Sequence, residues 1–270
     1  MHEVAPDAMP GAVPDAVVGI DVTIGHDRPV LRSVNFTIPA GALTAIIGPN
    51  GSGKSTLLHA ILGLLRPQAG RLEVLGTSPI QARPMVSYVL QNMATLPGTP
   101  LSVRETVTMG RYSTTGPIRP LRRSDRERVD RALAEMDLLM LTRRHLGELS
   151  GGQRQRVFVA QGLAQDHHML VMDEPLTGLD LPSAETIDRI IHAETDRGCT
   201  VLLTTHDLDE ARAADHVLLL GQGNLVSGTP SEVLTVDRLQ QAYRLGAHHP
   251  SATAATLLPS PHHHSDADHE

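Results

Sequence analysis

The sequence predicts an α/β fold with a largely parallel, buried sheet. Apolar runs rich in β-branched residues alternate with helical stretches: VVGIDV, LTAII, VSYVL, MLVM, TVLLTT and HVLLL. Parallel strands covered by helices on both faces have such continuous apolar runs, so the alternation favours this fold class. The chain has 270 residues, of which 40% are hydrophobic, enough for a real core in one large domain or two small ones.

Both ends of the chain are predicted to be disordered tails, which leaves residues 17–245 for the folded domain. Residues 1–16 contain three prolines and no periodic pattern, and residues 246–270 are mostly small and polar. The second tail carries six histidines interleaved with acids, a composition that can bind Zn²⁺ or a similar ion. A solvated tail without a role is the alternative.

Composition excludes several classes of protein. The chain has one cysteine, Cys199, so no internal disulfide can form, and we interpret this residue as a small core side chain. No apolar run approaches the ~18 residues that span a bilayer, and the N-terminus lacks the features of a signal peptide. We therefore expect a cytoplasmic chain. A net charge of -7 argues against nucleic acid as the main partner.

Sequence signals also place the helices. A side-chain cap followed three residues later by Glu marks three helix starts: Ser102 with Glu105, Ser124 with Glu127, and Thr229 with Glu232. Residues 91–149 show no core strand, so they are predicted to form a helical subdomain inserted into the α/β body. Gly162, in the middle of another predicted helix, indicates close packing at that point.

A phosphate-binding loop follows the run LTAII. Residues 48–55, GPNGSGKS, fit the pattern G-x-x-x-x-G-K-[ST] between a strand and a helix, which is the context that the pattern needs. Its glycines let backbone amides turn inward, its lysine adds charge on the β- and γ-phosphates, and its last serine would bind Mg²⁺. The predicted phosphate-binding residues are Gly48, Pro49, Asn50, Gly51, Ser52, Gly53, Lys54, Ser55 and Thr56.

Two further strands are predicted to end in catalytic side chains. MLVMDEP ends in two carboxylates, which are costly there unless they meet a cation or a water. Asp173 suits the Mg²⁺ shell, and Glu174 could polarise a water toward the γ-phosphate as a general base. TVLLTTHD ends at His206, which could reach the γ-phosphate from the same edge of the sheet.

A second anion-binding helix start is predicted at the sequence SGGQ. Ser150 is a good N-cap, so the amides of Gly151, Gly152 and Gln153 would point out of the helix unpaired. Such a helix start favours an anion. One phosphate loop already serves the nucleotide, so the residues alone do not assign an anion to this second site.

Six motifs in order, GPNGSGKST, YVLQ, LSGGQ, MLVMDEP, GLD and TTHD, resemble the nucleotide-binding subunit of ABC transporters. The resemblance implies a P-loop NTPase core with mainly parallel strands, an antiparallel β part near the N-terminus, and hydrolysis of ATP with Mg²⁺. It also implies that two domains pack head to tail, so Ser150, Gly151, Gly152 and Gln153 bind the partner's nucleotide. Gln91 would contact Mg²⁺ and report to the membrane partner, Asp180 would couple the two sites, and His206 would hold the γ-phosphate.

The resemblance implies partners as well. They are a separate integral membrane permease, a second ATPase subunit forming a homodimer, and, indirectly, an extracytoplasmic solute-binding protein. The chain would then lie at the cytoplasmic side of the membrane as a peripheral subunit. LSVRETVTMGRY and GELSGGQRQRVFVAQGLAQD are similar to segments in importers of manganese, zinc and iron, and also in siderophore importers.

Two other functions remain as alternatives. A soluble ABC-type ATPase acting on DNA or ribosomes would carry long coiled coils or two tandem domains, whereas this chain has one phosphate loop and no heptad run. A P-loop kinase or GTPase would leave the SGGQ motif and His206 without a role.

One position departs from the family pattern. Where the family usually has an aromatic ring stacked on adenine, this chain offers Ile24, with His26 nearby. The base is therefore predicted to be held by apolar contact rather than by stacking.

Overall fold

A computed structural model describes residues 15–90, 100–116 and 118–243. It confirms the predicted fold class. The strands are β1 (Asp15–Gly25), β2 (Pro29–Pro39), β3 (Leu43–Ile47), β4 (Ala69–Val74), β5 (Val86–Val89), β6 (Met169–Asp173), β7 (Thr200–Thr204), β8 (His216–Gly221) and β9 (Asn224–Gly228). The helices are α1 (Lys54–Ile61), α2 (Pro79–Ala82), α3 (Val103–Met109), α4 (Tyr112–Thr115), α5 (Arg123–Glu135), α6 (Gly151–Leu163), α7 (Leu181–Asp196), α8 (Leu208–Ala213), α9 (Pro230–Val233) and α10 (Val236–Tyr243).

Gln91 and the histidine-rich tail lie outside the described residues. Within the part of the chain that is described, no helix is both long and apolar enough to cross a membrane.

The larger sheet has the strand order β5-β6-β7-β3-β8-β9, and all of its pairs are parallel except β8 with β9. Successive side chains of a strand point to opposite faces, so each central strand contributes to two apolar layers. In β3, Ala45 and Ile47 join one buried cluster while Ile46 joins the other. The order β2-β1-β4 forms a separate antiparallel sheet, the predicted antiparallel β part near the N-terminus.

The helix starts follow two of the three predicted capping boxes. Ser102 accepts a hydrogen bond from the Glu105 amide at 3.3 Å and donates its own amide to the Glu105 carboxylate at 2.8 Å. Before α9, Thr229 donates its amide and its hydroxyl to the Glu232 carboxylate, at 3.0 and 2.9 Å. The prediction that Ser124 caps α5 is wrong.

Helix α5 begins one residue before Ser124 because Asp125 supplies the cap. The Asp125 carboxylate accepts the Arg122 amide at 3.0 Å, which closes the first turn with Ser124 inside it. Arg111 holds the same carboxylate from the other side, with its Nε 3.0 Å from Asp125 Oδ1. The pattern of serine and glutamate carried no information about this more distant arginine.

Arg111 ties α5 to the end of α6. Its side chain is 4% exposed, and besides Asp125 it donates to the Ala164 carbonyl at 2.8 Å and to Asp166 at 3.0 Å. Removing the guanidinium would leave the buried Asp125 carboxylate without its cation, and an uncompensated buried charge is strongly destabilising. Arg111 therefore anchors α5 to the end of α6.

We expect Arg111→Met to lower the free energy of unfolding by about 3 kcal/mol, measured by urea denaturation. Arg104→Met is the matched control, because the ion pair of Arg104 with Asp130 is about half exposed. Such surface pairs contribute at most about 1 kcal/mol. Equal losses in the two variants would contradict the anchoring role of Arg111.

Gly162 is closely packed, as predicted, and its neighbour is strand β5. A Cβ at this position would come within 2.9 Å of Ser87 Oγ and Val89 Cγ2. Ser87 also donates its hydroxyl to the Gly162 carbonyl at 3.1 Å. The missing side chain therefore lets α6 approach the sheet closely.

Candidate functional site

The candidate site lies at the carboxyl edge of the parallel sheet. Strands β6, β7 and β3 are neighbours, and the pairing of Asp173 and Ile46 with Thr204 aligns their ends. Ligands of open α/β sheets bind at this edge because the loops that follow the strands converge there. A cavity of about 320 Å³ opens here. It is lined by Val30, Asn50, Gly51, Gly53, Lys54, Ser55, Thr56, Asp173 and Glu174.

The phosphate loop has a backbone that only glycine allows at two positions. Gly48 has a φ of 152°, and a Cβ there would lie 2.3 Å from the Leu220 carbonyl oxygen. Gly53 has a φ of 106°, and its Cβ would lie 2.7 Å from Val30 Cγ1. The chain can therefore curl between β3 and α1 with room for a ligand at the start of the helix.

Two polar groups of the loop are arranged for an anion. Lys54 Nζ donates to the Gly48 carbonyl at 2.7 Å and lies 3.4 Å from the Pro49 carbonyl oxygen. Burial lowers the pKa of Lys54, while Glu174 and Asp173 act in the opposite direction. Ser52 Oγ is buried and has no hydrogen-bond partner among the described residues. Phosphate oxygens would give both groups acceptors.

Thr204 sets the geometry of the two carboxylates. Its hydroxyl donates to Asp173 Oδ1 and accepts the Glu174 amide at 2.8 Å. Glu174 has a φ of 44°, in the left-handed region that a glutamate rarely adopts, and such strain is concentrated at functional sites. The turn places both carboxylates at the cavity. With the Ser55 hydroxyl they form a set of hard oxygen donors, which fits Mg²⁺.

His206 lies beside Glu174, at the end of β7. Its Nδ1 is 3.8 Å from Glu174 Oε2, and its side chain is 63% exposed. At that distance no direct hydrogen bond joins the two groups. The imidazole is therefore accessible next to the carboxylate that sequence analysis selects as the base.

The SGGQ helix start has the predicted cap, with one difference. Ser150 Oγ accepts the Gln153 amide at 3.2 Å, and Gln153 Oε1 accepts the Ser150 amide at 3.1 Å. The Gln153 amide is therefore occupied, and the expectation that it points out unpaired is wrong, because Gln153 completes a capping box. Gly151 and Gly152 occupy the first two helical positions, whose amides have no acceptor within the helix.

Asp180 contacts this same helix start. A Cβ on Gly152 would come 2.1 Å from Asp180 Oδ1 and 2.4 Å from Ser183 Oγ, so a larger residue cannot fit. Asp180 precedes α7 but makes no side-chain cap with it. Residues 150–153 are absent from the lining of the phosphate cavity, as far as the described chain shows. Asp180 is therefore near the SGGQ motif, and both are separate from this chain's own phosphate loop.

The expectation that Ile24 contacts the base is wrong, because Ile24 is fully buried in the core. Val30 instead lines the cavity next to Gly53. Sequence analysis missed Val30, although the turn between β1 and β2 offered a signal. Gly25 pairs with Pro29, which puts Val30 near the end of a hairpin that points toward the loop.

We expect an aliphatic residue at this place to discriminate poorly between bases, with ATP and GTP affinities within about tenfold, because apolar contacts reject isosteres weakly. Val30→Tyr should strengthen the binding of both by about 2- to 12-fold, the value of an added ring contact. Fluorescent nucleotide titration measures this. Leu64→Tyr, which adds a ring at an exposed position of the surface, is the control. A strong preference of the unchanged chain for ATP would contradict the prediction.

Comparisons with known proteins give the family to which the chain is similar. The sequence profile of the family described as ABC transporter matches residues 31–177. The chain is 36% identical over 231 residues to a manganese transport system ATP-binding protein of Synechocystis sp., covering 84% of this chain and 89% of that protein. It is 39% identical over 225 residues to a zinc transport system ATP-binding protein of Treponema pallidum, covering 83% and 85%.

A solved structure is similar as well. It is an inward-facing conformation of a protein assigned as a metal-chelate type ABC transporter, with a TM-score of 0.76 and 28% identity. The match covers 86% of this chain and 90% of the other.

Proposed function

We propose a transport function for this chain from one premise: the chain belongs to the ABC transporter family, and it is an ATPase of that family. The observation that supports the proposal most is that Lys54, Ser55, Asp173 and Glu174 line one cavity. A cation, a hydroxyl and two carboxylates are the groups that bind and hydrolyse a nucleoside triphosphate. The hydrolysis drives a separate membrane permease.

Each group at the cavity has a distinct role. Lys54 and the loop amides hold the phosphates, and Ser52 donates its orphaned hydroxyl to them. Ser55 and Asp173, joined by Gln91, would hold Mg²⁺, which neutralises charge on the phosphate oxygens when bound. Glu174 accepts a proton from the attacking water. His206 binds the γ-phosphate from the side of Glu174.

The site is completed by a second copy of the chain. The SGGQ helix start offers two backbone amides, yet residues 150–153 do not line the cavity within the described chain. In a head-to-tail homodimer, Ser150, Gly151 and Gly152 bind the γ-phosphate held by the partner's loop. Asp180 contacts Gly152 and so transmits the state of one site to the other.

The cargo is a transition metal, imported as Mn²⁺, Zn²⁺ or iron. Support comes from the two relatives, which are named for manganese and zinc transport. An iron-chelate cargo is the second candidate, favoured by the metal-chelate type transporter of similar structure. In either case the chain acts at the cytoplasmic face of the membrane, and an extracytoplasmic solute-binding protein delivers the cargo to the permease.

Uptake measurements test the cargo. The gene for this chain is removed from its host, and cellular accumulation of labelled manganese, zinc, ferrous iron and an iron chelate is followed. We expect one of these to fall, to be restored by the unchanged chain, and to stay low with Glu174→Gln. Normal uptake of all four would contradict a role in metal import.

Copurification tests the partner. A tagged chain, recovered from detergent-solubilised membranes, should bring with it an integral membrane protein. The Glu174→Gln variant should do the same, because it changes hydrolysis and not docking. Recovery with ribosomes or DNA, and with no membrane protein, would instead support a soluble ATPase.

A further inference from the structure

A second group of titratable side chains lies at the opposite edge of the parallel sheet. His167 precedes β6, Glu194 lies in the last turn of α7, and Cys199 precedes β7. Strands β6 and β7 pair in parallel, so their amino ends are adjacent. One ligand atom from each of the three side chains lies within 4.8 Å of the other two. We call these residues the His-Glu-Cys cluster.

The His167 imidazole is buried with an orphaned nitrogen. Its side chain is 6% exposed, and its Nδ1 lies 3.2 Å from the Gln165 carbonyl oxygen. A carbonyl can only accept, so Nδ1 carries a proton, and in the neutral ring Nε2 then presents a lone pair. Nε2 is buried without a hydrogen-bond partner among the described residues.

Glu194 faces this lone pair. Its Oε2 lies 3.4 Å from His167 Nε2, and the carboxylate is 4% exposed. Its other oxygen, Oε1, is held by Arg197. With the ring neutral, two acceptors face each other in a buried place, an arrangement that is costly unless a cation lies between them.

Cys199 adds a sulfur to the same place. Its residue is buried at the border of a hydrophobic cluster, as the sequence predicts for a small core side chain, and its sulfur also lies near His167 and Glu194. All three residues of the cluster also border a cavity of about 360 Å³. That space can admit a hydrated ion and supply a water ligand.

We propose that the His-Glu-Cys cluster binds Zn²⁺ through His167 Nε2, Glu194 Oε2 and Cys199 Sγ, with a water from the cavity as the fourth ligand. Thiolate, imidazole and carboxylate together suit Zn²⁺, whereas Mg²⁺ and Mn²⁺ prefer oxygen alone. Bonds of about 2.0 to 2.3 Å separate tetrahedral ligand atoms by about 3.3 to 3.8 Å. The cluster would therefore contract by about 1 Å, and the thiol would release its proton to solvent.

The site is separate from both the nucleotide and the cargo. It lies at the amino ends of β6 and β7, whereas the phosphate loop lies at the carboxyl edge of the same sheet. A bound ion would join the α6–β6 loop to the end of α7. The proposal does not depend on which cargo the permease carries.

Titration of the reduced full-length chain with Co²⁺ tests the site. Cobalt is a spectroscopic substitute for zinc, and a thiolate bound to it gives a charge-transfer absorption band. Cys199 is the single cysteine of the chain, so the band reports on this cluster and not on the histidine-rich tail. We expect the band to saturate at one Co²⁺ per chain and to disappear when Zn²⁺ is added.

Two variants test the other ligands. His167→Gln and Glu194→Gln should each weaken Zn²⁺ binding, measured by competition with Co²⁺, by at least about tenfold. His168→Gln is the matched control, because this exposed neighbour borders the cavity but is not part of the cluster. Circular dichroism checks that each variant is folded, and if Glu194→Gln is not, His167→Gln alone decides.

Two results would overturn the proposal. One is the absence of the charge-transfer band from the unchanged chain. The other is equal Zn²⁺ affinity in His167→Gln and the unchanged chain. Either result would leave a protonated His167 paired with Glu194 as the explanation of their 3.4 Å separation.

Discussion

Glu174→Gln should abolish most ATP hydrolysis while leaving ATP bound. The amide has the shape of the carboxylate but cannot accept a proton from water, so the loss should reach about 100-fold or more. Lys54 and the phosphate loop are unchanged, so the dissociation constant for ATP should stay within about threefold, since uniform binding is retained. Steady-state phosphate release and nucleotide titration measure the two effects separately.

A stable dimer should accumulate in the same variant when ATP is present. If each nucleotide is bound by two chains, blocking hydrolysis leaves ATP in place and keeps the two chains together. Gel filtration detects the resulting dimer. Glu185→Gln is the matched control, because Glu185 is an exposed carboxylate on α7. Hydrolysis at the unchanged rate in Glu174→Gln would remove Glu174 from the role of base and leave the strained turn at β6 without a catalytic purpose.

The parallel core could be predicted from sequence because its strands are continuous apolar runs. LTAII, MLVM and TVLLTT become β3, β6 and β7, each buried on both faces. The phosphate loop could be predicted for a related reason, since its chemistry needs glycine, lysine and serine at fixed spacing along one segment. Local sequence patterns therefore predict both the parallel sheet and the phosphate-binding loop.

Features that depend on contacts between distant segments were not predicted. Val30 reaches the cavity through the β1–β2 hairpin, whereas the side chain of Ile24 is buried in the core. Asp125 displaces Ser124 as the cap of α5 because it also binds Arg111, fourteen residues away. Both of these errors arose where a tertiary contact outweighed a local preference, whereas the error at Gln153 arose from a local capping box.

If two chains share each nucleotide site, a change in either chain should abolish ATP hydrolysis at that site. Ser150→Arg should abolish most hydrolysis, because a bulky cation at the start of α6 blocks the approach of the partner's nucleotide. Lys54→Ala should abolish it for a different reason, since the phosphates lose the buried ammonium at the loop. A mixture of the two variants should nevertheless be active.

The recovery follows from the geometry of a head-to-tail dimer. When a Ser150→Arg chain pairs with a Lys54→Ala chain, one site contains both defects and the other contains neither. Random pairing at equal amounts should restore about one quarter of the unchanged activity, if the two sites of a C2 dimer act independently. Phosphate release from the mixture, compared with each variant alone, measures the recovery.

The control must separate blocking of the interface from loss of the helix cap, because replacing an N-cap serine costs about 1 kcal/mol by itself. Ser102→Arg removes a capping box of the same kind from α3, far in the sequence from the SGGQ motif. Without permease present, it should keep full hydrolysis. A Ser150→Arg chain with full activity alone would refute the shared site, and so would a mixture no more active than its components. In that case the amides of Gly151 and Gly152, which have no acceptor within the helix, would need another ligand.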